Sequence, residues 1–235
     1  MDGVTVFDKH ADEYDRWFDE HEQIYQAEVN ALRRLIPQTG LGVEVGVGTG
    51  RFSIPFGIRI GIEPSGKMAQ IAKARRIAVC LAVGEELPFR DNQFDFVLLV
   101  TVVCFVRDVA QLLHEVRRVI KVGGTVIIGF IDKDSALGQS YETRKDTDKF
   151  YQGAHFYSAP EIAALIRQVG FGELQCCQTI FGLPNNSTTA YQVRDGYGEG
   201  AFVAVKAIKL INSKAVTPAQ AESGTAKLDC GSSPA

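Results

Sequence analysis

Two periods alternate along the chain. Short apolar runs rich in Val and Ile read as strands, and between them apolar residues recur three and four places apart, as on one face of a helix. From residue 42 onward the alternation predicts strands over 42–46, 58–62, 77–83, 94–101, 125–131, about 172–181 and 200–209. The fourth, Phe94-Asp95-Phe96-Val97-Leu98-Leu99-Val100-Thr101, is nearly unbroken in apolar residues, which fits a central parallel strand covered on both faces. Helices are predicted over 65–75, over 108–120 and from Ser158 or Pro160 to near Gly170. In the second of these Val109, Leu112, Leu113, Val116, Val119 and Ile120 share one face. Asp108 suits its N-cap, and Lys121-Val122-Gly123-Gly124 its C-terminal end. Residues 50–56 leave room for one or two helical turns, because Pro55 limits what can continue. Strands alternating with helices predict an α/β fold, a doubly wound sheet joined by right-handed crossovers.

Outside this series the pattern changes. Phe7, His10, Tyr14, Trp17 and Phe18 fall at helical spacing and predict a helix over 6–20, followed by one over about 22–35 that stops before Pro37. Residues 132–157 and 182–199 are polar and irregular, and are expected as loops on the ligand-binding edge. Residues 211–235 are rich in Ser, Ala, Gly and Pro and are expected to be a disordered tail. The remaining 1–210 reads as one domain.

The candidate chemistry begins at the first strand. Val43-Glu44-Val45-Gly46-Val47-Gly48-Thr49-Gly50 runs a strand into a glycine-rich turn, where backbone amides can approach a ligand. A dinucleotide fingerprint would place its third glycine one residue later, where Arg51 stands. Glu44 at the strand end is poorly matched to a pyrophosphate and suits a ligand bearing an ammonium or sulfonium charge. Glu63 closes the second strand in Gly61-Ile62-Glu63-Pro64-Ser65, beside that turn if the strands are parallel neighbours, and can accept hydrogen bonds from both hydroxyls of a ribose.

These residues, with Gly84-Glu85-Glu86-Leu87-Pro88-Phe89, Phe94-Asp95-Phe96-Val97 and the segment Leu112 to Gly124, resemble the class I S-adenosylmethionine-dependent methyltransferases. The likeness is to the small-molecule branch near the ubiquinone and menaquinone biosynthesis enzymes, and covers about residues 43–130. It implies a Rossmann-like sheet of seven strands, mostly parallel with the seventh antiparallel. It implies S-adenosylmethionine as cofactor, S-adenosylhomocysteine as product and no metal. The implied cofactor residues are Glu44, Gly46, Val47, Gly48, Glu63, Pro64, Gly84, Glu85, Thr101 and Val102. Tyr14, paired with Asp15, would lie on a lid formed by residues 1–36. Val83 stands where relatives often carry an acid for adenine, so adenine recognition falls to the backbone near Gly84, with Glu85 a further candidate. Several relatives carry histidine where this chain has Cys104.

The acceptor is less legible. Cys104, Tyr151 and His155 are the candidates for proton work, though a buried cysteine and a histidine among aromatics are more often packing. Tyr157, Tyr191, Arg194, Tyr197 and Glu199 are further loop residues able to reach an acceptor. The implied reaction is in-line methyl transfer to a small-molecule N, O or C nucleophile; a non-catalytic S-adenosylmethionine-binding regulator is the alternative.

Composition narrows the field further. A net charge of −3 over 235 residues argues against broad nucleic-acid binding. No apolar run is long enough to span a bilayer. Five cysteines with no zinc spacing predict reduced thiols in a cytoplasmic protein, a monomer or a homodimer.

Overall fold

A computed structural model describes residues 3–182 and 191–211. The elements in chain order are α1 (Gly3–Lys9), α2 (Ala11–Glu20), α3 (Glu22–Arg33), β1 (Gly42–Val45), a 3-10 turn (Ile54–Phe56), β2 (Ile60–Ile62), α4 (Gly66–Ala74), β3 (Ala78–Cys80) and β4 (Phe94–Val100). They continue as α5 (Val109–Val119), β5 (Ile120–Ile131), α6 (Ala136–Arg144), α7 (Ala159–Gln168), β6 (Phe171–Phe181), β7 (Arg194–Asp195) and β8 (Gly200–Lys209). The sheet order is β3-β2-β1-β4-β5-β8-β6-β7. The first five pair in parallel, and β8 inserts antiparallel between β5 and β6. This is the Rossmann-like arrangement expected, with helices on both faces. It has eight strands rather than seven, because β7 adds two residues to the β6 edge.

Alternation along the strands sorts the core. Val43, Val45, Val97, Leu99, Val126 and Ile128 point to the layer of α5 and α7; Phe96, Leu98, Ile127 and Phe202 point to that of α3. Both layers are apolar, as the unbroken apolar strands predicted.

Several boundaries differ from the sequence reading. The helix expected over 6–20 breaks at His10, so that Asp8 turns onto α4, where its carboxyl accepts from Ser65 Oγ and the Lys67 amide. Strand β3 covers only part of 77–83; Leu81 and Val83 beyond it are exposed. The expected C-terminal cap at Gly123-Gly124 is instead an irregularity inside β5, which starts at Ile120 directly after α5 and pairs with Phe94. Residues 132–157 are not wholly irregular. Ser135 caps α6 through the Gly138 amide, and Leu137 and Tyr141, four apart, turn inward. The expected disordered tail, beyond Ile211, and the middle of the 182–199 loop lie outside the described residues.

Candidate functional site

A cavity of about 490 Å³ opens beyond the C-terminal ends of β1, β2 and β4, where open α/β sheets bind their ligands. Of the cofactor residues singled out in sequence, Gly46, Gly48, Glu63, Pro64, Gly84, Glu85, Thr101, Val102 and Tyr14 all line it. Two do not. Val47 packs into a small cluster with Ala72 and Ile77. Glu44 is 1% exposed, off the cavity wall, with its carboxyl accepting from Ser53 Oγ. Burial, against the Ser53 hydrogen bond, pushes its pKa up to about 8. Burial thus favours its neutral form, and the carboxyl stands behind the cavity wall and not on it.

The glycine turn also works differently from the expectation of bare amides. Gly46 N and Val47 N donate to Ile62 O, and Gly50 N donates to Val47 O. Gly48 N donates to Glu63 Oε2 at 2.8 Å. The turn therefore offers its Cα surface, while its amides brace β2 and Glu63. Gly46 has φ +72°, and a Cβ there would strike Val102 across the cavity floor. Only glycine combines that conformation with that closeness.

Glu63 is the best-defined polar group of the site. It is 7% exposed, and the Ser65 amide donates to Oε1 at 2.9 Å while Gly48 holds Oε2. Burial raises its pKa, and the two amides pull it back. An ionised carboxyl has about four acceptor sites, so two remain for a ligand's hydroxyls.

The N-terminal helices roof the cavity. Phe7 and Tyr14 face it, meeting edge to face at 5.6 Å. Asp15, next to Tyr14, accepts from Arg51 just after the glycine turn and from Arg75 at the end of α4. Burial opposes its charge, but Arg75 and Arg51 hold the carboxyl well below the usual range. Arg75 also donates to Thr49 O at 2.7 Å. Sequence reasoning missed this clasp, since its members are 36 and 60 residues apart. It also missed Val4, Met68 and Gln111 on the wall.

Thr101 has φ +53°, a costly conformation for a β-branched residue, and stands on the cavity wall at the end of β4. Such strain collects at ligand sites. Behind it a second cavity, about 10 Å³, is bounded by Cys104, Phe130, Tyr151, Phe156 and Tyr157 among others.

The three candidates for proton work fare unequally. Cys104 is buried, its thiol donating to Thr101 O, with burial pushing its pKa up to about 12. Tyr151 is stacked between Phe105 and Tyr141, and burial lifts its phenol well above the usual value. His155 is exposed and lies edge-on to Tyr157 at 4.5 Å. None lines the larger cavity. Nor do Tyr191, Arg194, Tyr197 and Glu199; Arg194 instead covers the Phe181 ring and pairs with Glu199 at the β7 edge of the sheet. Among the described residues no helix is long and apolar enough to cross a membrane.

Comparison with known proteins shows what the chain is similar to. A methyltransferase-domain family matches residues 43–128. An uncharacterised protein of Methanocaldococcus jannaschii is 49% identical over 207 residues, spanning 88% of this chain and all of its own length. The crystal structure of a SAM-dependent methyltransferase from Thermotoga maritima, described as a possible histamine N-methyltransferase, superposes with a TM-score of 0.84. It is 43% identical and covers 88% of this chain and 99% of its own. The ubiquinone/menaquinone biosynthesis C-methyltransferase of Geotalea daltonii is 33% identical over 101 residues, 37% of this chain and 43% of that one.

Proposed function

Because the chain belongs to the S-adenosylmethionine-dependent methyltransferases, we propose that its cavity holds S-adenosylmethionine with the ribose on Glu63, and that the methyl group passes to a small-molecule nucleophile. The observation that carries this reading is the Glu63 carboxyl, fixed by two amides on the wall of a cavity of about 490 Å³, with acceptor capacity to spare.

The residues present fit the cofactor. Glu63 suits a cis-diol. The turn Gly46–Gly48 leaves room for the methionyl part under Tyr14. The Glu85 carboxyl is engaged by the Arg107 amide at 2.8 Å, so the adenine falls to backbone around Gly84. The sulfonium, when bound, supplies an activated methyl group with a good leaving group. What the chain adds is placement: Thr101 and Val102 form the floor between donor and acceptor, and residues 3–36 close over both as a lid. Closure excludes water and fixes a near-attack geometry, which is where most of the acceleration of such a displacement arises. Residues 132–157 cover the acceptor side.

The relative described as a possible histamine N-methyltransferase favours nitrogen among N, O and C nucleophiles. Calorimetry with S-adenosylmethionine, S-adenosylhomocysteine and NAD tests the reading. Saturable binding of the first two and none of the third is expected; absence of the first two contradicts it.

A further inference from the structure

Arg51 stands where a dinucleotide turn would carry a small residue, and the fold gives its side chain a partner on the roof. Its Nε and Nη2 donate to Asp15 Oδ1 and Oδ2 at 2.9 and 3.0 Å, and its Nη1 donates to Asp19 Oδ1 at 2.7 Å. Asp15 and Asp19 are four apart on α2, so one guanidinium spans a turn of that helix. Arg75, at the C-cap of α4, takes the same Asp15 carboxyl, with Nη1 on Oδ1 and Nη2 on Oδ2, both at 2.7 Å. Asp15 therefore accepts from two planar forks, a pairing that fixes direction as well as distance.

One arginine would satisfy the charge; the second adds a connection. Arg75 Nη1 also donates to Thr49 O at 2.7 Å, between Gly48 and Gly50, and α4 starts at Gly66, shortly after Glu63. The clasp thus ties α2 to the two loops that carry Gly48 and Glu63. Its side chains are 17% exposed at Asp15 and Arg51 and 24% at Arg75, whereas the Glu13–Lys149 pair is 46% exposed at both ends. Exposed pairs hold little and are screened by salt, so the Asp15 forks are what fixes α2 against the turn. What α2 brings there is Tyr14. Its ring lines the large cavity, with Cε1 3.9 Å from where a Cβ on Gly48 would stand. Phe7, Phe18 and Phe150 meet that ring edge to face, contacts that tolerate sliding as hydrogen bonds do not. Tyr14 adjoins Asp15 on a helix, so the backbone that aims the ring is held by the forks.

We propose that Asp15, Arg51 and Arg75 are positioning residues for the methyl donor: none of them lines the cavity, and they act by holding the Tyr14 ring over the Gly48 turn, against the methionyl part of the bound donor. This assignment rests on the methyltransferase reading above.

The test is a double-mutant cycle on the full chain, read by calorimetry with S-adenosylhomocysteine. Tyr14→Ala and Arg75→Met are each expected to weaken binding by about tenfold, the worth of one well-placed ring contact. In a chain that already carries Tyr14→Ala, adding Arg75→Met is expected to weaken it by no more than about twofold further, because the ring through which the arginine acts is gone. A merely structural Arg75 would weaken binding by the same factor with and without Tyr14. Losses that multiply in the double variant, or either single variant within about twofold of the wild type, overturn the assignment. If Arg75→Met does not fold, Asp15→Asn takes its place in the cycle with the same expectations. A wild type that binds no S-adenosylhomocysteine overturns the methyltransferase reading and this assignment with it; wild-type binding that Arg75→Met leaves unchanged overturns the assignment alone.

Discussion

The two sides of Thr101 are built on opposite plans. On the β1–β2 side every acid near the cavity is tied down. Glu63 holds two amides, Glu44 a serine hydroxyl, Asp15 two arginines and Asp8 the cap of α4. On the β4–β5 side the packing is mostly of rings, with Asp132 buried just after β5 and Glu28 buried on α3. The first plan suits a ligand that never changes, since partnered groups are preorganised and do not relax when it leaves. The second is less rigidly defined, since stacked rings carry no fixed hydrogen-bond geometry.

The contrast is sharpest in its dependence on pH. Burial pushes the Glu28 pKa from an ordinary 4.5 up to about 8. The folded state therefore binds its proton more tightly than the unfolded chain. The stabilisation is complete below pH 4.5 and is lost as pH rises through 8. The phenols of Tyr14, Tyr25, Tyr141 and Tyr151, which feel its charge, are all pushed up by burial. Glu28→Gln should thus gain stability over the wild type as pH rises from 5 to 9, by an amount on the order of 4 kcal/mol at most. Denaturant melts at both pH values measure it, and parallel curves would show that Glu28 is paired.

On the tied-down side, Gly46→Val forces a β-branched residue to φ +72° against Val102. About 3 kcal/mol of stability should go, seen as a melting point lower by roughly 6–12 °C; an unchanged melt would mean that the turn relaxes freely. Glu63→Ala should weaken S-adenosylmethionine by about 1–3 kcal/mol in calorimetry and leave the fold intact. Asp15→Asn removes the charge that both Arg51 and Arg75 meet. A loss of about 1–2 kcal/mol is expected, with faster amide exchange confined to residues 3–20; uniform exchange would place the clasp outside lid closure. The smallest effect should be that of His155→Ala. The ring is exposed and touches Tyr157, so turnover should stay within about twofold, and a large loss would restore the general-base candidate.

Legibility followed the same divide. The cavity wall proposed for the cofactor comes from loops that follow strands: Gly46 and Gly48, Glu63 and Pro64, Gly84 and Glu85, Thr101 and Val102. A strand end announces itself by the switch in period, so these positions were readable one loop at a time. What those loops do with their amides was not readable, because Gly46, Val47 and Gly48 spend them on Ile62 and Glu63. The β4–β5 side draws on α3, α6 and the rings near 151, which only the tertiary fold unites. Even so, Glu28 left a trace. It interrupts the stripe Ile24, Tyr25, Ala31, Leu32, Leu35 at the centre of the inward face of α3, where an apolar residue belongs. The two-residue β7 left none, being too short to carry a period.

The most direct test is a crystal structure with S-adenosylhomocysteine. Both ribose hydroxyl oxygens should lie about 2.6–3.0 Å from the Glu63 carboxylate, with the adenine against Gly84 and the sulfur facing Thr101. A nucleoside bound elsewhere, or a Glu63 carboxyl that keeps its two amides and touches no ribose, would contradict the account.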